Sequence, residues 1–239
     1  MAVPFLCLFA GARNMKSDRN SILRDFAEPY LRRRYSILFY TLLLTMVAAP
    51  LLSALRFSGT LFESFVAASL LAAIIPADPV RSRPLLLVLV IVAWLARPLT
   101  DWLGHRVLSA MTMGIWTLIG LLAAVAALRF AMDATKVDAE HLYAALSAYL
   151  LAGTCFGLLY WVLEQIKSGA FVVRGEFSQT SAIYFSFVTL ATLGYGDIAP
   201  STDVARGLAI VEGVGGQLFL AVLVARLVSL YSKSGNQSS

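Results

Sequence analysis

Apolar residues along this chain gather into long runs that short polar or charged stretches separate. The five longest runs are residues 35–55, 57–77, 107–128, 142–163 and 207–225. Their only charged members are Glu63 and Glu212, and each run approaches the ~20 residues that a helix needs to cross a bilayer. A shorter uncharged run, 84–96, reaches that length if its flanking arginines extend to the membrane surface. The pattern therefore predicts an all-α membrane protein with six transmembrane helices.

A different pattern lies between the fifth and sixth runs. The apolar stretch Ala182–Leu190 is too short to cross a bilayer, and the hydroxyl-rich residues 178–181 before it are typical of a helix start. The glycine-containing sequence TLGYGD follows at residues 192–197. Backbone that is not helical is tolerated at membrane depth only where it lines an aqueous path or is buried in protein. We therefore expect a re-entrant helix followed by a loop that lines a pore.

Composition and charge agree with a membrane protein. Hydrophobic residues make up 59% of the chain and charged residues only 14%, which is more apolar surface than a soluble protein of this size can bury. With six spans, thirteen lysines and arginines fall on the side of the termini and six on the other. The positive-inside rule then predicts a multi-pass protein of the cell membrane with both termini in the cytoplasm. The net charge of +5 is interpreted as attraction to anionic lipid at the inner surface, and no nucleic-acid partner is predicted.

The same signals divide the chain into four parts. Residues 1–34 are predicted to be a cytoplasmic tail with an amphipathic segment from Asn20 to Arg34, and residues 35–131 a four-helix membrane domain. Residues 140–231 hold the outer helix, the pore loop and the inner helix, and residues 232–239 form a short cytoplasmic tail.

The stretch TLATLGYGD, residues 189–197, resembles the selectivity-filter signature of potassium channels. Leu193 stands where that family usually has valine. The resemblance covers about residues 142–230, and upstream it extends only to the number of spans, which is similar to that of small bacterial six-span channels. It implies a homotetramer, since each chain holds one filter strand and a pore needs four. No cofactor is implied apart from K⁺ as the permeant ion.

The resemblance also implies roles for the filter residues. Backbone carbonyls of the four consecutive residues 192–195 would form stacked rings that bind K⁺, with the Thr192 hydroxyl closing the innermost site. Glycine is needed because a Cβ opposes the backbone angles that turn successive carbonyls to one axis. The filter residues are Thr192, Leu193, Gly194, Tyr195 and Gly196.

Further residues would support the filter. Tyr195 is expected to point away from the pore and brace the filter against the short helix, and Asp197 to mark the outer mouth. The end of that helix, near Leu190, would direct its partial negative charge at the cavity. The expected supporting residues are Thr189, Tyr184 and Phe185.

The sixth span is expected to hold the cavity and the gate. Gly213, Gln217, Leu220 and Val224 recur at helical spacing and would share the face that lines the cavity. Gly216 falls where the family often has a flexible glycine, and two hypotheses remain open for it. It is either a hinge, or one of several small residues that allow helices to pack closely.

Glu212 is an unusual residue for the middle of a membrane helix. A carboxylate there costs about 2.5–3.5 kcal/mol on insertion scales, so it should be paired, protonated or facing water. It could couple gating to the filter through a hydrogen bond to the short helix or to a neighbouring subunit. Alternatively, it could be a neutral carboxyl that joins helices.

The remaining chemistry narrows the function. No catalytic set or phosphate-binding loop is found, so no enzyme activity is predicted. The fourth span has no charge from Val107 to Leu128, which argues against steep voltage gating. Potassium-selective conduction is the favoured function. A non-selective cation channel, or a membrane scaffold with a coincidental filter-like turn, is the alternative.

Overall fold

The computed structural model describes residues 33–54, 106–133 and 138–235, together with the single positions 88, 91, 92, 94 and 95. It is mostly helical. In chain order the elements are α1 (Arg34–Ala54), α2 (Arg106–Met132), α3 (Ala139–Ile166), β1 (Phe171–Val173), α4 (Gln179–Leu190), β2 (Ile198–Pro200) and α5 (Asp203–Gly235).

Four of the helices lie where long apolar runs predicted them. Within the described residues, three segments are long and apolar enough to cross a membrane: Met111–Met132, Ala139–Ile166 and Asp203–Leu230. The run 57–77, most of 84–96, the amphipathic segment before residue 33 and the last four residues lie outside the described part of the chain. The described positions of run 84–96 are helical.

Helix α3 is the central element of the described structure, because α1, α2 and α4 all pack against it. On one side, leucine and aromatic side chains of three helices form a continuous core. At the cytoplasmic end predicted from charge, the Glu140 carboxylate accepts a hydrogen bond from the Tyr35 amide at 3.1 Å and also contacts the Ser36 hydroxyl. The apolar core between α1, α2 and α3 includes Leu38 and Leu42 of α1, Met113, Trp116 and Ile119 of α2, and Leu151 and Leu158 of α3.

On its other side, α3 holds the short helix α4 at close range. Two glycines of α3, Gly153 and Gly157, lie directly against α4, where even a methyl group would meet Phe187 and Ile183 at 2.6 Å. Small residues at such positions let helix backbones approach closely. Aromatic rings complete this second core at the end of α3: Tyr160, Phe171, Phe177 and Phe185.

A two-stranded antiparallel sheet joins the segment before α4 to the segment after it. Phe171 pairs with Pro200, and Val173 with Ile198. The preceding turn is fixed by Glu164, whose carboxylate accepts hydrogen bonds from the Gly169 and Phe171 amides at 2.7 and 3.2 Å. Neither strand was predicted from the sequence, because a three-residue strand is too short to show a period-two pattern. The sheet closes the two ends of the loop that contains α4 and TLGYGD.

Candidate functional site

Helix α4 begins and ends with specific capping contacts. The Ser178 hydroxyl accepts a hydrogen bond from the Ser181 amide at 3.1 Å, as the hydroxyl-rich segment predicted. At the other end, Leu193 and Thr192 donate their amides to the carbonyls of Val188 (2.9 Å) and Thr189 (3.0 Å). This pair of bonds is a common C-terminal cap that requires a left-handed residue, usually glycine, directly after the C-cap residue, which is Ala191. Here that residue is Thr192, with φ 57°.

The backbone after the cap alternates in conformation. Positive φ recurs at every second residue: Thr192 at 57°, Gly194 at 58° and Gly196 at 76°. Among the described residues, Thr192 is the only non-glycine residue with positive φ. A β-branched residue in this region costs about 1–3 kcal/mol, and such strain is concentrated at ligand-binding and active sites. The strain at Thr192 was not foreseen from the sequence, where only the glycines were expected to adopt these angles.

The TLGYGD segment lies on the surface of the single chain. Every residue from 191 to 197 is exposed, including the large apolar side chains of Leu193 and Tyr195. The backbone of this segment therefore has few partners within its own subunit beyond the cap at its start. In a membrane protein, the N–H and C=O groups of such backbone need hydrogen bonds from either water or neighbouring protein.

The predicted supporting residues separate into two groups. The Tyr195 ring stacks on the Tyr184 ring of α4, with centroids 6.5 Å apart and planes 6° from parallel, and Asp197 lies beside the Tyr184 hydroxyl. Thr189 contributes its carbonyl to the cap of α4. Phe185, in contrast, is buried against Tyr160 and Phe171. Its ring packs edge-to-face on both, with ring centroids 5.1 and 5.3 Å apart. It anchors α4 to α3 and β1.

Helix α5 touches α4 through two of its glycines. A Cβ on Gly216 would lie 2.7 Å from Leu190 Cδ1 and 3.0 Å from the Leu190 carbonyl oxygen, whereas one on Gly213 would make ordinary contact with Thr189 at 3.8 Å. The close contact at Gly216 favours packing over a hinge, and the helix runs unbroken through this position. The remaining predicted gate and cavity residues are exposed on the single chain: Gln217, Leu220 and Val224.

Tyr149, which was not predicted from the sequence, also contacts the end of α4. Its hydroxyl donates to the Leu190 carbonyl at 3.2 Å, and its ring lies 5.7 Å from that of Phe219 on α5. Helices α3 and α5 thus meet the last residue of α4 from two directions. This residue directly precedes the capped backbone at Ala191 and Thr192.

Glu212 is fully buried, with 1% of its surface exposed, at the junction of three helices. The Tyr160 hydroxyl of α3 lies 2.6 Å from one carboxyl oxygen, and the Ser186 hydroxyl of α4 contacts the other. The Ser186 hydroxyl also lies 2.6 Å from the Gly153 carbonyl oxygen of α3. The predicted contact between Glu212 and the short helix is therefore present within the subunit. The contacts of Tyr160 and Ser186 with Glu212 were not predicted. Tyr160 lies 52 positions from Glu212 in the sequence and Ser186 lies 26 positions from it, so no local pattern indicates these contacts.

Comparison with known proteins agrees with the sequence signature. Residues 144–233 match a family model described as "Ion channel". Over 62 residues the chain is 47% identical to "Two-pore potassium channel 4" of Arabidopsis thaliana, which is 23% of this chain and 22% of that protein. Over 89 residues it is 32% identical to "Inward rectifier potassium channel Kirbac3.1" of Paramagnetospirillum magnetotacticum, which is 36% of this chain and 28% of that protein. No solved structure matches.

These matches confirm the predicted relationship to potassium channels for the region that holds α3, α4 and α5. They span only about a quarter of the length of the relatives. The related proteins are channels, and the apolar helices identify this chain as a membrane protein.

Proposed function

We propose that this protein is one subunit of a tetrameric, potassium-selective channel that conducts passively. The observation that carries the proposal is the exposed TLGYGD backbone after α4, with positive φ at Thr192, Gly194 and Gly196. Carbonyl groups that replace the hydration shell of K⁺ must face one axis at successive residues. Left-handed and ordinary backbone conformations alternate along this segment. The alternation supports such an arrangement, because each residue reverses the rotation of the peptide plane made by the residue before it, so that successive carbonyls can face the same side.

The ion sites in this proposal lie along four residues. The carbonyls of Thr192, Leu193, Gly194 and Tyr195 form the rings, and the Thr192 hydroxyl closes the inner end. Asp197 stands at the outer mouth, held beside Tyr184. Helix α4 ends at Leu190 on the inner side, so its partial negative charge favours a cation in the cavity.

Assembly into a tetramer follows from the same backbone. Filter carbonyls cannot face lipid, and a single chain leaves them exposed, so other copies of the chain must surround them. Helix α5 agrees with this, because much of its apolar surface is uncovered within the subunit. The uncovered side chains include Val204, Ile210, Val211, Val214, Leu218 and Val228.

The oligomeric state tests this proposal. Protein purified in detergent or lipid nanodiscs should have the mass of four chains, measured by light scattering with the detergent or lipid contribution subtracted. A conducting preparation that consists of monomers or dimers would contradict the proposed pore.

Conduction is expected to depend only weakly on voltage. Helix α2 has a basic residue at its start, Arg106, and another in its last turn, Arg129, with no charge between them. Voltage sensors move several elementary charges per subunit through the membrane field, and two terminal arginines cannot supply them. Currents from reconstituted channels should give a shallow conductance–voltage curve. A steep curve, with several charges moved per subunit, would show that the four-helix domain has been misinterpreted.

The proposed topology has six spans, with α4 re-entrant and both termini in the cytoplasm of the cell. The excess of lysine and arginine on that side supports this orientation in a cell membrane with anionic lipid at its inner surface. A non-selective cation channel remains the second candidate, since selectivity depends on the surroundings of the filter as well as on its residues. The stacked pair Tyr184–Tyr195 favours the selective pore, because it holds the filter wall to α4.

A further inference from the structure

The contacts around Glu212 form a chain of oxygen atoms across three helices. It runs from the Tyr160 hydroxyl of α3 to the Glu212 carboxyl of α5, on to the Ser186 hydroxyl of α4, and back to the Gly153 carbonyl of α3. Three oxygen–oxygen contacts therefore need one proton each. All three side chains are buried, with at most 1% of their surface exposed, so bulk water does not supply the missing partners.

The protons available at this site can be counted. A hydroxyl group has one proton to donate, and a backbone carbonyl has none. The contact between Ser186 and Gly153 must therefore use the Ser186 proton. The contact between Tyr160 and Glu212 uses the tyrosine proton. The contact between Ser186 and the other Glu212 oxygen is then left without a proton, unless Glu212 itself carries one.

An ionised Glu212 would leave one of these contacts as two facing acceptors. The Ser186 hydroxyl could turn to the carboxylate, but its 2.6 Å contact with the Gly153 carbonyl would then be repulsive. A buried carboxylate also carries a desolvation cost that a cation usually offsets. The hydrogen bonds and ion pairs of Glu212 within the described structure are those to Tyr160 and Ser186.

Other titratable groups around this position do not change the count. Tyr160 and, within electrostatic range, Tyr149 face Glu212 from α3, and both are neutral donors. Helix α4 presents the Ser186 hydroxyl. On α5 itself, Arg206 lies six residues earlier and pairs with Asp203 at 3.7 Å.

We propose that Glu212 is held as a neutral carboxylic acid. Its proton completes a hydrogen-bond chain from Tyr160 to Gly153 and so fixes α4 against α3 and α5. The acid proton lies between Glu212 and Ser186, and the Ser186 proton lies between Ser186 and Gly153. Glu212 thereby acts as a positioning residue for the filter, since α4 leads directly into Thr192. The positioning role rests on the proposed channel function, whereas the protonation state does not.

Glutamine at this position distinguishes a neutral acid from a carboxylate. Its amide has nearly the same shape, can donate to Ser186 and can accept from Tyr160. Glu212→Gln is therefore expected to assemble like the wild type and to keep its potassium-over-sodium selectivity. Glu212→Ala, which leaves Ser186 and Tyr160 without their partner, should assemble less stably and lose selectivity.

Infrared spectroscopy reads the proton directly. The difference spectrum between wild type and Glu212→Gln in lipid at neutral pH should contain the carbonyl stretch of a protonated carboxylic acid, lost in the variant and shifted in heavy water. A difference spectrum with carboxylate bands alone would overturn the proposal. So would failure of Glu212→Gln to assemble under conditions in which the wild type does. A wild type that carries the acid band but conducts no potassium would refute the channel function and leave the proton assignment standing.

Discussion

Replacement of Gly196 with alanine is expected to abolish selective potassium conduction while the protein still inserts and assembles. Gly196 has φ 76°, in the left-handed region where a Cβ costs about 1–2 kcal/mol. The added methyl meets no atom within 4 Å in the subunit, so the effect is one of backbone conformation and not of local packing. In the proposed tetramer the strain is repeated in each subunit. The checks are ion flux and oligomeric state of the purified variant.

Gly175 offers a matched control for this substitution. It also has positive φ, 110°, and open space around its Cβ position, but it lies in the exposed turn between β1 and α4. Gly175→Ala should carry comparable backbone strain and leave ion selectivity unchanged. If Gly196→Ala conducted with normal selectivity, residues 192–197 could not be the ion pathway.

Replacement of Gly157 with alanine is expected to destabilise the subunit by separating α3 from α4. The new Cβ would lie 2.6 Å from the Ile183 Cα and 2.8 Å from its Cγ1. The backbone of α4 cannot yield at one residue without displacement of the helix. Overpacking of this kind costs about 1–3 kcal/mol, which outweighs the gain of about 1 kcal/mol that alanine brings to a helix. Thermal unfolding of the assembled protein, monitored by the loss of its oligomeric state, measures the effect.

Gly114 of α2 is the control for this second prediction. It is helical like Gly157, but a Cβ there has no neighbour within 4 Å in the described structure. Gly114→Ala should leave stability unchanged or slightly increase it. A Gly157→Ala protein as stable as Gly114→Ala would show that α3 and α4 are not in close contact.

The sequence predicted those features that local composition determines. Apolar runs located the ends of four helices to within about four residues, apart from the C-terminal end of α5, which extends to Gly235, well beyond the apolar run that stops at residue 225. The start of α4 followed from the hydroxyl-rich residues 178–181, because an N-cap is a local signal, and the structure places the cap at Ser178. Glycines marked two of the three positive φ angles in TLGYGD, but Thr192 adopts this conformation because of the cap that ends α4.

Features that depend on distant residues were not predictable in the same way. The strands β1 and β2 pair residues that lie about 27 positions apart in the sequence, and each strand is too short to show the alternation of apolar and polar residues that marks a strand. The charge of Glu212 within an apolar run indicated that this residue must be paired, protonated or facing water. Its partners Tyr160 and Ser186, in contrast, resemble ordinary residues of an apolar helix in the sequence. The competing hypotheses for Gly216 could be weighed only when its distance to Leu190 was known.

The reversal potential of purified protein in a planar bilayer tests potassium selectivity most directly. With potassium chloride on one side and, on the other, sodium chloride that contains a low concentration of potassium chloride, current through the proposed TLGYGD pore should reverse close to the potassium equilibrium potential. The value should shift with the potassium gradient and not with the sodium gradient. A reversal near zero that follows sodium as readily as potassium would contradict the proposed filter.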